Sequence, residues 1–463
     1  MNTSKKNSRI FNRGIYPKKR LAACFDFDFI INVLLVLYSL LFIMFNTLPA
    51  KPVIKWVERL EIIVGGLLFA AAAVKFFVEK EDRHLLKRRP LILICVYVAI
   101  RFISWKSAGF DYSTIRTVYF EIIYLVAINE MIVSKRLLKR RILPLLILIN
   151  LSLNIMECLC FAFIKISPDG YVSQLLTKYT FFDLMDSRSF MYINPNTMGI
   201  MTAFAMISMF IILPKDLLRV HKILAAIYFG FSLVMLVNSH CRSAELAVFI
   251  AVLSYIIVKY IKILNAKKLT LCLLVLSVFV TGAIYGYMHA HSQSGVAVGW
   301  MHSFNENEYK LNLKSSGRYN IWKTGMLASE GKKLFGSGSL TGEMADRNAY
   351  AKEFWSEKYS DQLEFEPTVL GPHSGYFGML FTTGFAGFFI YISLLFYMMS
   401  KSKLMDKDNW YLAMIFIIIV NHLECFFIVS RFFICLMMLL ILSARDDEDE
   451  SEALDVYLLN LSN

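Results

Sequence analysis

Apolar and polar positions alternate in long blocks along this chain. Apolar runs of about 20 residues recur, which is the length that an α-helix needs to cross the hydrocarbon core of a bilayer. Short basic segments separate most of these runs. The pattern predicts about 12 transmembrane helices, at residues 27–48, 57–78, 90–105, 114–133, 142–166, 193–213, 221–239, 243–264, 269–288, 373–399, 410–427 and 428–443.

One polar interruption is much longer than the others. It covers residues 289–372, between the ninth and tenth predicted spans, and we call it the long loop. Within it, SGRYNIWKTGML has the composition of a short helix beginning at Ser316. Trp322 and Met326 are one turn apart, which favours a helix lying at the membrane surface.

The predicted fold is an all-α polytopic membrane protein with a large external loop. The predicted regions are a basic N-terminus (1–26), spans 1–9 (27–288), the long loop (289–372), spans 10–12 (373–443) and an acidic tail (444–463).

Composition supports this class. Hydrophobic residues make up 57% of the 463 positions and the mean hydropathy is +0.53, too apolar for a soluble protein of this size. The net charge of +13 does not indicate nucleic-acid binding, because the Lys and Arg residues concentrate in short loops, where membrane orientation explains them. The 8 Cys lie in or beside apolar runs without metal-ligand spacing, so we expect neither disulfides nor a metal.

The basic residues also predict an orientation. The N-terminus is Lys- and Arg-rich and has no small-residue cleavage site, which is typical of a cytoplasmic anchor. With this terminus inside, the predicted inner segments carry more than twice as many Lys and Arg as the short outer loops. We therefore expect both termini in the cytoplasm, the long loop outside, and a multi-pass protein of the cytoplasmic (inner) membrane.

Three arginines on the predicted outer side are candidate anion ligands. Arg188 precedes Gly199 with ten residues between them, and Asn194 and Pro195 then open a span. An arginine near a helix N-terminus suits an anion, although a simple capped helix start explains the same residues. Arg242 lies in a tight polar turn, where snorkelling to lipid phosphate is the alternative. Arg318 lies in the long loop, where solvation is the alternative.

His373 opens the tenth predicted span. On an ideal helix, Gly384 and Gly387 lie within about 40° of the face that carries His373. This spacing predicts a groove of small residues for helix packing, with the His373 imidazole at its outer end. Packing alone does not require a histidine, and an ionisable residue at a helix mouth is a functional candidate.

These segments together resemble the O-antigen ligase and polymerase superfamily, which includes Wzy-type polymerases and WaaL-type ligases. Its signature resembles a pattern in this chain that begins with His373 and Ser374. Nine residues then precede Gly384, and two more precede Gly387. Arg188-x10-Gly199 resembles a motif of the Wzy polymerases. NPNTMG, NSHCRSAEL, SGRYNIW and LFGSGS also resemble family segments, in the family's order.

The resemblance implies a GT-C-like fold and a glycosyltransferase that needs neither metal nor cofactor. The implied substrate is an oligosaccharide on undecaprenyl diphosphate in the outer leaflet. Arg188, Arg242 and Arg318 are then expected to bind the diphosphate and His373 to act as general base. Membrane lipids, a flippase and a chain-length regulator are the expected partners; nucleic acid is not.

The implied function is polymerisation of an O-antigen, capsule or exopolysaccharide. A ligase differs only in its acceptor; Arg188-x10-Gly199 and NPNTMG favour the polymerase. A transporter or flippase of lipid-linked sugars also stays open, since ionisable residues lie in or near the predicted spans: Arg101, Glu121, Glu130, Glu157 and Glu424.

Overall fold

The computed structural model describes most of the chain. The described residues are 27–47, 51–78, 89–110, 112–133, 143–180, 189–213, 219–262, 264–292, 310–311, 314–315, 317–359, 371–401 and 409–425.

All regular structure within these ranges is helical. The α-helices are α1 (Phe27–Thr47), α2 (Lys51–Val78), α3 (Arg89–Ser107), α4 (Tyr112–Val133), α5 (Leu143–Ile166), α6 (Tyr171–Tyr179), α7 (Pro195–Ile212), α8 (Arg219–Asn238), α9 (Arg242–Ile256), α10 (Ala266–Ala290), α11 (Arg318–Ala328), α12 (Leu340–Tyr359), α13 (Gly375–Lys401) and α14 (Trp410–Val420). A π-helix, Ile257–Ile261, extends α9, and a 3₁₀ turn, Glu330–Lys332, follows α11.

Six helices of the described part are long and apolar enough to cross a membrane. They are Leu143–Ile166, Pro195–Ile212, Arg219–Asn238, Arg242–Ile261, Ala266–Ala290 and Gly375–Tyr397. These match the fifth to tenth predicted spans. Helices α1–α4 coincide with the first four predicted spans without being among the six, and residues 428–443 lie outside the described residues. The all-α membrane class is therefore supported, and the total of 12 spans stays a prediction.

Helix α14 is the centre of the bundle. Every residue from Trp410 to Ile418 is buried, and the helix packs against α7, α9 and α10. A helix that is apolar around its whole circumference is stable only when other elements surround it. The predicted span at 410–427 is too long, because the helix ends at Val420 and residues 421–424 form a turn.

The long loop packs onto a break in α13. Gly384 has a non-helical backbone (φ 66°, ψ −176°) inside this helix. The amides of Ser337 and Gly338 donate to the carbonyls of Phe381 and Thr382, both at 2.9 Å. In return, the amide of Phe385 donates to the loop carbonyl of Lys333 at 2.9 Å. The loop thus satisfies backbone groups that the break leaves without helical partners.

Gly384 is required at this break. A Cβ on it would lie 2.3 Å from the backbone of Leu334, and one on Gly336 would lie 2.4 Å from that of Thr382. The expectation that Gly384 shares a continuous helical face with His373 is wrong, because the helix begins after His373 and breaks at Gly384. Gly384 lets the long loop approach the helix backbone. A Cβ on Gly387 would lie 2.4 Å from Thr383 Cβ in the same helix and 3.5 Å from Ile100 of α3.

Two helices of the long loop connect this break to the rest of the bundle. The short helix predicted at SGRYNIWKTGML is present as α11, with Gly317 as its N-cap. Its Trp322 and Met326 are only 6% and 2% exposed, since α11 packs against α10, α12 and α13. The expectation that this helix lies on the membrane surface is therefore wrong, because protein covers its apolar side chains.

Candidate functional site

The starts of three helices meet at Glu424, in the turn that follows α14. Asn196, near the start of α7, donates from Nδ2 to Glu424 Oε1 at 3.3 Å. Arg318, the first residue of α11, reaches the same oxygen from Nη2 at 3.4 Å. The amide of Gly375, the first residue of α13, donates to the carbonyls of Asn421 and Glu424 at 2.7 and 2.8 Å. The positive ends of helices favour an anion at such a place.

Local backbone geometry positions Arg318 at this junction. Gly317 has φ +83°, a conformation that glycine adopts without steric cost, and it begins α11. The Ser315 hydroxyl accepts a hydrogen bond from the amide of Tyr319 at 3.0 Å, which caps the first turn. The Arg318 side chain is 19% exposed, so its guanidinium is shielded by protein and still accessible.

His373 lies immediately before α13 in a tightly held turn. Its φ of +47° is unusual for a residue with a side chain. On one side, the carbonyl of Pro372 accepts from Trp322 Nε1 at 2.6 Å. On the other, the amide of Ser374 donates to Cys425 Sγ at 3.2 Å. These contacts fix the backbone around His373, and an unusual backbone conformation maintained by its surroundings is common at functional sites.

The surroundings keep the His373 imidazole neutral. Burial, followed by the positive charges of Arg318 and Arg347, lowers the pKa of His373 to about 4. Its ring makes no hydrogen bond with another described residue. A neutral imidazole without a protein partner is available to accept a proton from a bound ligand.

Glu424 has the opposite shift. Burial raises the pKa of the Glu424 carboxyl to about 7, against the lowering effect of Arg318. The carboxyl and the imidazole are therefore perturbed in different directions around the same arginine. Pairs of titratable groups whose pKa values are changed by a shared environment are typical of functional sites.

Arg347 is a second cation near His373. It lies on α12 and is 2% exposed, and its Nε donates to Glu343 Oε1 at 2.8 Å. This pair is one helical turn apart and excluded from solvent. Arg347 therefore acts on His373 through its electrostatic field.

Arg242 and Gly199 belong to a neighbouring junction. Arg242 is the first residue of α9 and is exposed, and its side chain has no ion pair with another described residue. Cys241, directly before it, is buried, and its thiol pKa is raised to about 11 by burial and then by Glu424. A Cβ on Gly199 would lie 2.5 Å from Cys241 Cβ, so this glycine lets α7 approach the turn that leads to Arg242.

Arg188 lies outside the described residues, but the segment after it is described. The carboxylate of Glu157, on α5, accepts from the amides of Phe190 and Met191 at 2.8 and 2.7 Å and from the Ser189 hydroxyl at 3.0 Å. Glu157 therefore anchors the chain just beyond Arg188. A diphosphate-binding role for Arg188 stays a prediction.

A cavity of about 630 Å³ lies beside this junction, between the C-terminal end of α10 and the start of α11. Its walls include Ala283, Ile284, Tyr287, Lys314, Tyr319 and Trp322. The volume lies in the usual range of small-ligand sites. Trp322 joins the cavity to the His373 turn, because its indole donates to the carbonyl of Pro372.

Some groups at the junction were not singled out from sequence. Asn421, His422 and Cys425 lie in the turn after α14, where the His422 ring packs 4.7 Å from that of Tyr376. Burial lowers the pKa of His422 to about 4. The sequence feature that could have identified these residues is the abrupt change from the apolar run 410–420 to the more polar segment NHLEC at residues 421–425. Arg347 had no comparable signal, since its burial depends on how α12 folds back.

No group of three or more potential metal ligands is present in the described part of the chain. A metal-independent reaction nevertheless stays a prediction, since it concerns chemistry that the geometry does not test.

Comparison with protein families identifies the central part of the chain. Residues 227–392, a little over a third of the sequence, match the family model described as O-antigen ligase. No curated protein matches the chain significantly. The matched segment contains Arg242, Arg318, His373, Gly384 and Gly387. It confirms the resemblance to the O-antigen ligase and polymerase superfamily, whose members are transferases of glycan assembly.

Proposed function

We propose that this membrane protein, which carries the O-antigen ligase family segment at residues 227–392, polymerises a bacterial polysaccharide. The donor is a glycan on undecaprenyl diphosphate, and the acceptor is a sugar hydroxyl of the next lipid-linked repeat unit. The reaction takes place on the outer face of the cytoplasmic membrane. The observation that carries the proposal is a half-buried neutral imidazole, His373, within the electrostatic field of a partly accessible guanidinium, Arg318.

The reaction forms one bond and breaks one. The acceptor oxygen attacks the anomeric carbon of the donor sugar, and the bond from that carbon to the diphosphate oxygen breaks. The diphosphate leaves with the electron pair, while the hydroxyl proton passes to the unprotonated ring nitrogen of His373. Arg318 binds the leaving group through charge-assisted hydrogen bonds that strengthen as negative charge develops. Arg242 provides further positive charge at the same end of the bundle. Arg188, outside the described residues, is proposed as a further ligand of the diphosphate.

The low pKa of His373 supports this order of events. Without substrate, burial and two arginines keep the imidazole neutral, so it is ready to accept a proton at neutral pH. It is then a weak base. A bound diphosphate offsets the charge of Arg318, which raises the basicity of His373 when the acceptor is in place.

The cavity beside Trp322 supports the choice of a lipid-linked donor. Its apolar and aromatic residues suit the isoprenoid nearest the diphosphate, Lys310 and Lys314 in the same walls suit its negative charge, and Trp322 connects the cavity to the His373 turn. We assign the long loop as the cover of this site, because its α11 forms one wall and also supplies Arg318.

A ligase is the second candidate, favoured by the description of the matched family. It uses the same donor chemistry and transfers the glycan to a different acceptor, such as lipid A-core, a protein or a cell-wall polymer. A lipid-linked sugar transporter receives less support. Two of the polar groups considered for a transport pathway, Arg101 and Glu121, are engaged with each other by hydrogen bonds of 2.7 and 3.0 Å.

Purified protein with a lipid-linked repeat unit separates these functions. A ladder of longer lipid-linked glycans is the expected result. Products that appear only after a different acceptor is added identify a ligase. Transfer across proteoliposome membranes without lengthening identifies a transporter and contradicts the proposal. His221→Ala provides the control for handling, because His221 is exposed on α8 outside the junction.

A further inference from the structure

We infer that Glu424 is the resident counter-ion of Arg318, whose carboxylate occupies the anion site until a phosphate group of the substrate displaces it. This inference rests on the proposed function, because it takes the displacing ligand to be the diphosphate of the donor. It assigns to Glu424 a positioning role that acts through Arg318.

The contacts of the Glu424 carboxylate are weak for a shielded ion. Both Asn196 and Arg318 reach the same oxygen, at 3.3 and 3.4 Å. Charge-assisted hydrogen bonds usually measure about 2.7–2.9 Å. The second oxygen, Oε2, has no partner among the described residues. The carboxylate is therefore held near the guanidinium without a tight bidentate contact.

The backbone of Glu424 is well fixed, in contrast to its side chain. Its amide donates to the carbonyl of Val420 at 2.9 Å, and its own carbonyl accepts from Gly375 at 2.8 Å. The turn can thus remain in place while the side chain rotates away. A side chain with long contacts on a fixed backbone suits an exchangeable ligand better than a permanent structural contact.

The position of the carboxylate is one that attracts anions generally. The starts of α7 and α11 reach it through Asn196 and Arg318. The start of α13 contacts the backbone carbonyl of the same residue through the amide of Gly375. The start of α9 is near enough for Glu424 to affect the buried thiol of Cys241. Helix N-termini and an arginine together form a phosphate site. Glu424 therefore places its own negative charge where the phosphate is expected.

Displacement of Glu424 is linked to protonation. The charged group that faces the Glu424 carboxylate is Arg318 of α11, and α7 presents the neutral Asn196. The other titratable groups near Glu424 are Cys241 before α9, His373 before α13, and His422 and Cys425 in its own turn. Burial raises the pKa of Glu424 to about 7. A phosphate that binds Arg318 offsets the positive charge that favours the ionised carboxylate, so Glu424 takes up a proton as the anion binds.

Direct binding of inorganic pyrophosphate to the purified protein tests the inference. Glu424→Gln keeps the side-chain shape and removes the competing charge. We expect it to bind pyrophosphate about tenfold more tightly than the wild type at pH 8. The ratio of the two affinities should approach one at pH 6, where Glu424 is protonated. The ionisation of pyrophosphate affects both proteins equally, so it does not change the ratio of their affinities at a given pH. Glu245→Gln is the matched control, since Glu245 lies in the first turn of α9.

Other outcomes separate the inference from the proposed function. Equal affinities of wild type and Glu424→Gln at pH 8, combined with lost binding in Arg318→Ala, overturn the counter-ion role and leave the proposed diphosphate site standing. Binding that persists in Arg318→Ala, or that is absent from both the wild type and Glu424→Gln, overturns the diphosphate site itself.

A second measurement applies if Glu424→Gln does not fold. Sulfate keeps its charge between pH 6 and pH 8, so wild-type affinity for sulfate should rise as pH falls through about 7. A sulfate affinity that is independent of pH overturns the inference without any variant.

Discussion

Two arginine–glutamate pairs of this protein share their chemistry and differ in geometry. Arg101 and Glu121 join α3 to α4 through two hydrogen bonds, and Arg101 is 1% exposed. Arg318 and Glu424 meet through one contact of 3.4 Å, with side chains 19% and 12% exposed. The first pair is a link of two hydrogen bonds that is closed to solvent, although Arg101 Nη1 has no hydrogen-bond partner among the described residues. The second pair has a single long contact and both of its ions stay partly accessible to solvent, which is what a site for an exchangeable anion requires.

Replacing the glutamate of each pair should give the largest difference between the two pairs, measured as the change in the free energy of unfolding. Glu121→Ala leaves the guanidinium of Arg101 buried and unpaired, which should destabilise the protein by about 3–5 kcal/mol. Glu424→Gln should change stability by less than about 1 kcal/mol, because burial already disfavours the removed charge and the amide can keep the long contacts to Asn196 and Arg318. Thermal unfolding in detergent measures both. Similar losses in the two variants would show that the pairs play equivalent structural roles.

The chemistry assigned to the His373 turn predicts the next largest effect. His373→Ala should lower polymer formation by about 10²–10⁴-fold, the usual contribution of a general base. Pyrophosphate binding should persist, because Arg318 remains. Product gels and a binding assay on the same preparation make the comparison, with His221→Ala as control. Normal chain length in His373→Ala would rule out the base assignment.

The shape of the guanidinium should matter at the loose pair. Arg318→Lys keeps the charge but loses the planar fork that binds two phosphate oxygens, so we expect activity to fall at least about tenfold. Arg219→Lys is the matched control, since Arg219 is also the first residue of a helix and is exposed. Full activity in Arg318→Lys would mean that the site needs positive charge alone.

The pH dependence gives the smallest and most specific effect. The imidazole of His373 must be neutral to act as a base, so kcat/KM should fall only as pH decreases through about 4. The carboxyl of Glu424 is ionised above about 7, and its charge then competes for Arg318. The value of kcat/KM should therefore rise severalfold as pH decreases through 7 in the wild type, and this rise should be absent from Glu424→Gln.

Hydropathy predicted the positions of the helices well, since each apolar block from the fifth to the tenth predicted span contains one long helix of the structure. The break at Gly384 could not be predicted this way. Its residues are as apolar as those of an unbroken helix, and the partners that make the break favourable are backbone groups of Lys333, Ser337 and Gly338, far away in sequence.

The site was partly predictable for a similar reason. His373 and Arg318 were identified from residue types at the edges of apolar runs and from the family resemblance. Glu424 was noted only as one of several ionisable residues in or near the spans. Its pairing with Arg318 depends on where α14 ends, and the apolar pattern extended that helix beyond Val420.

The sequence by itself determined the membrane class, the helices and the candidate imidazole and arginine, because hydropathy and residue chemistry act locally along the chain. Only the tertiary structure decided that α14 is the buried centre, that the long loop fills the break in α13, and that Asn196, Arg318 and Gly375 surround Glu424. The hydrogen bonds that make these arrangements join residues more than 40 positions apart in the chain, and such pairings depend on the packing of whole helices, which no local pattern records.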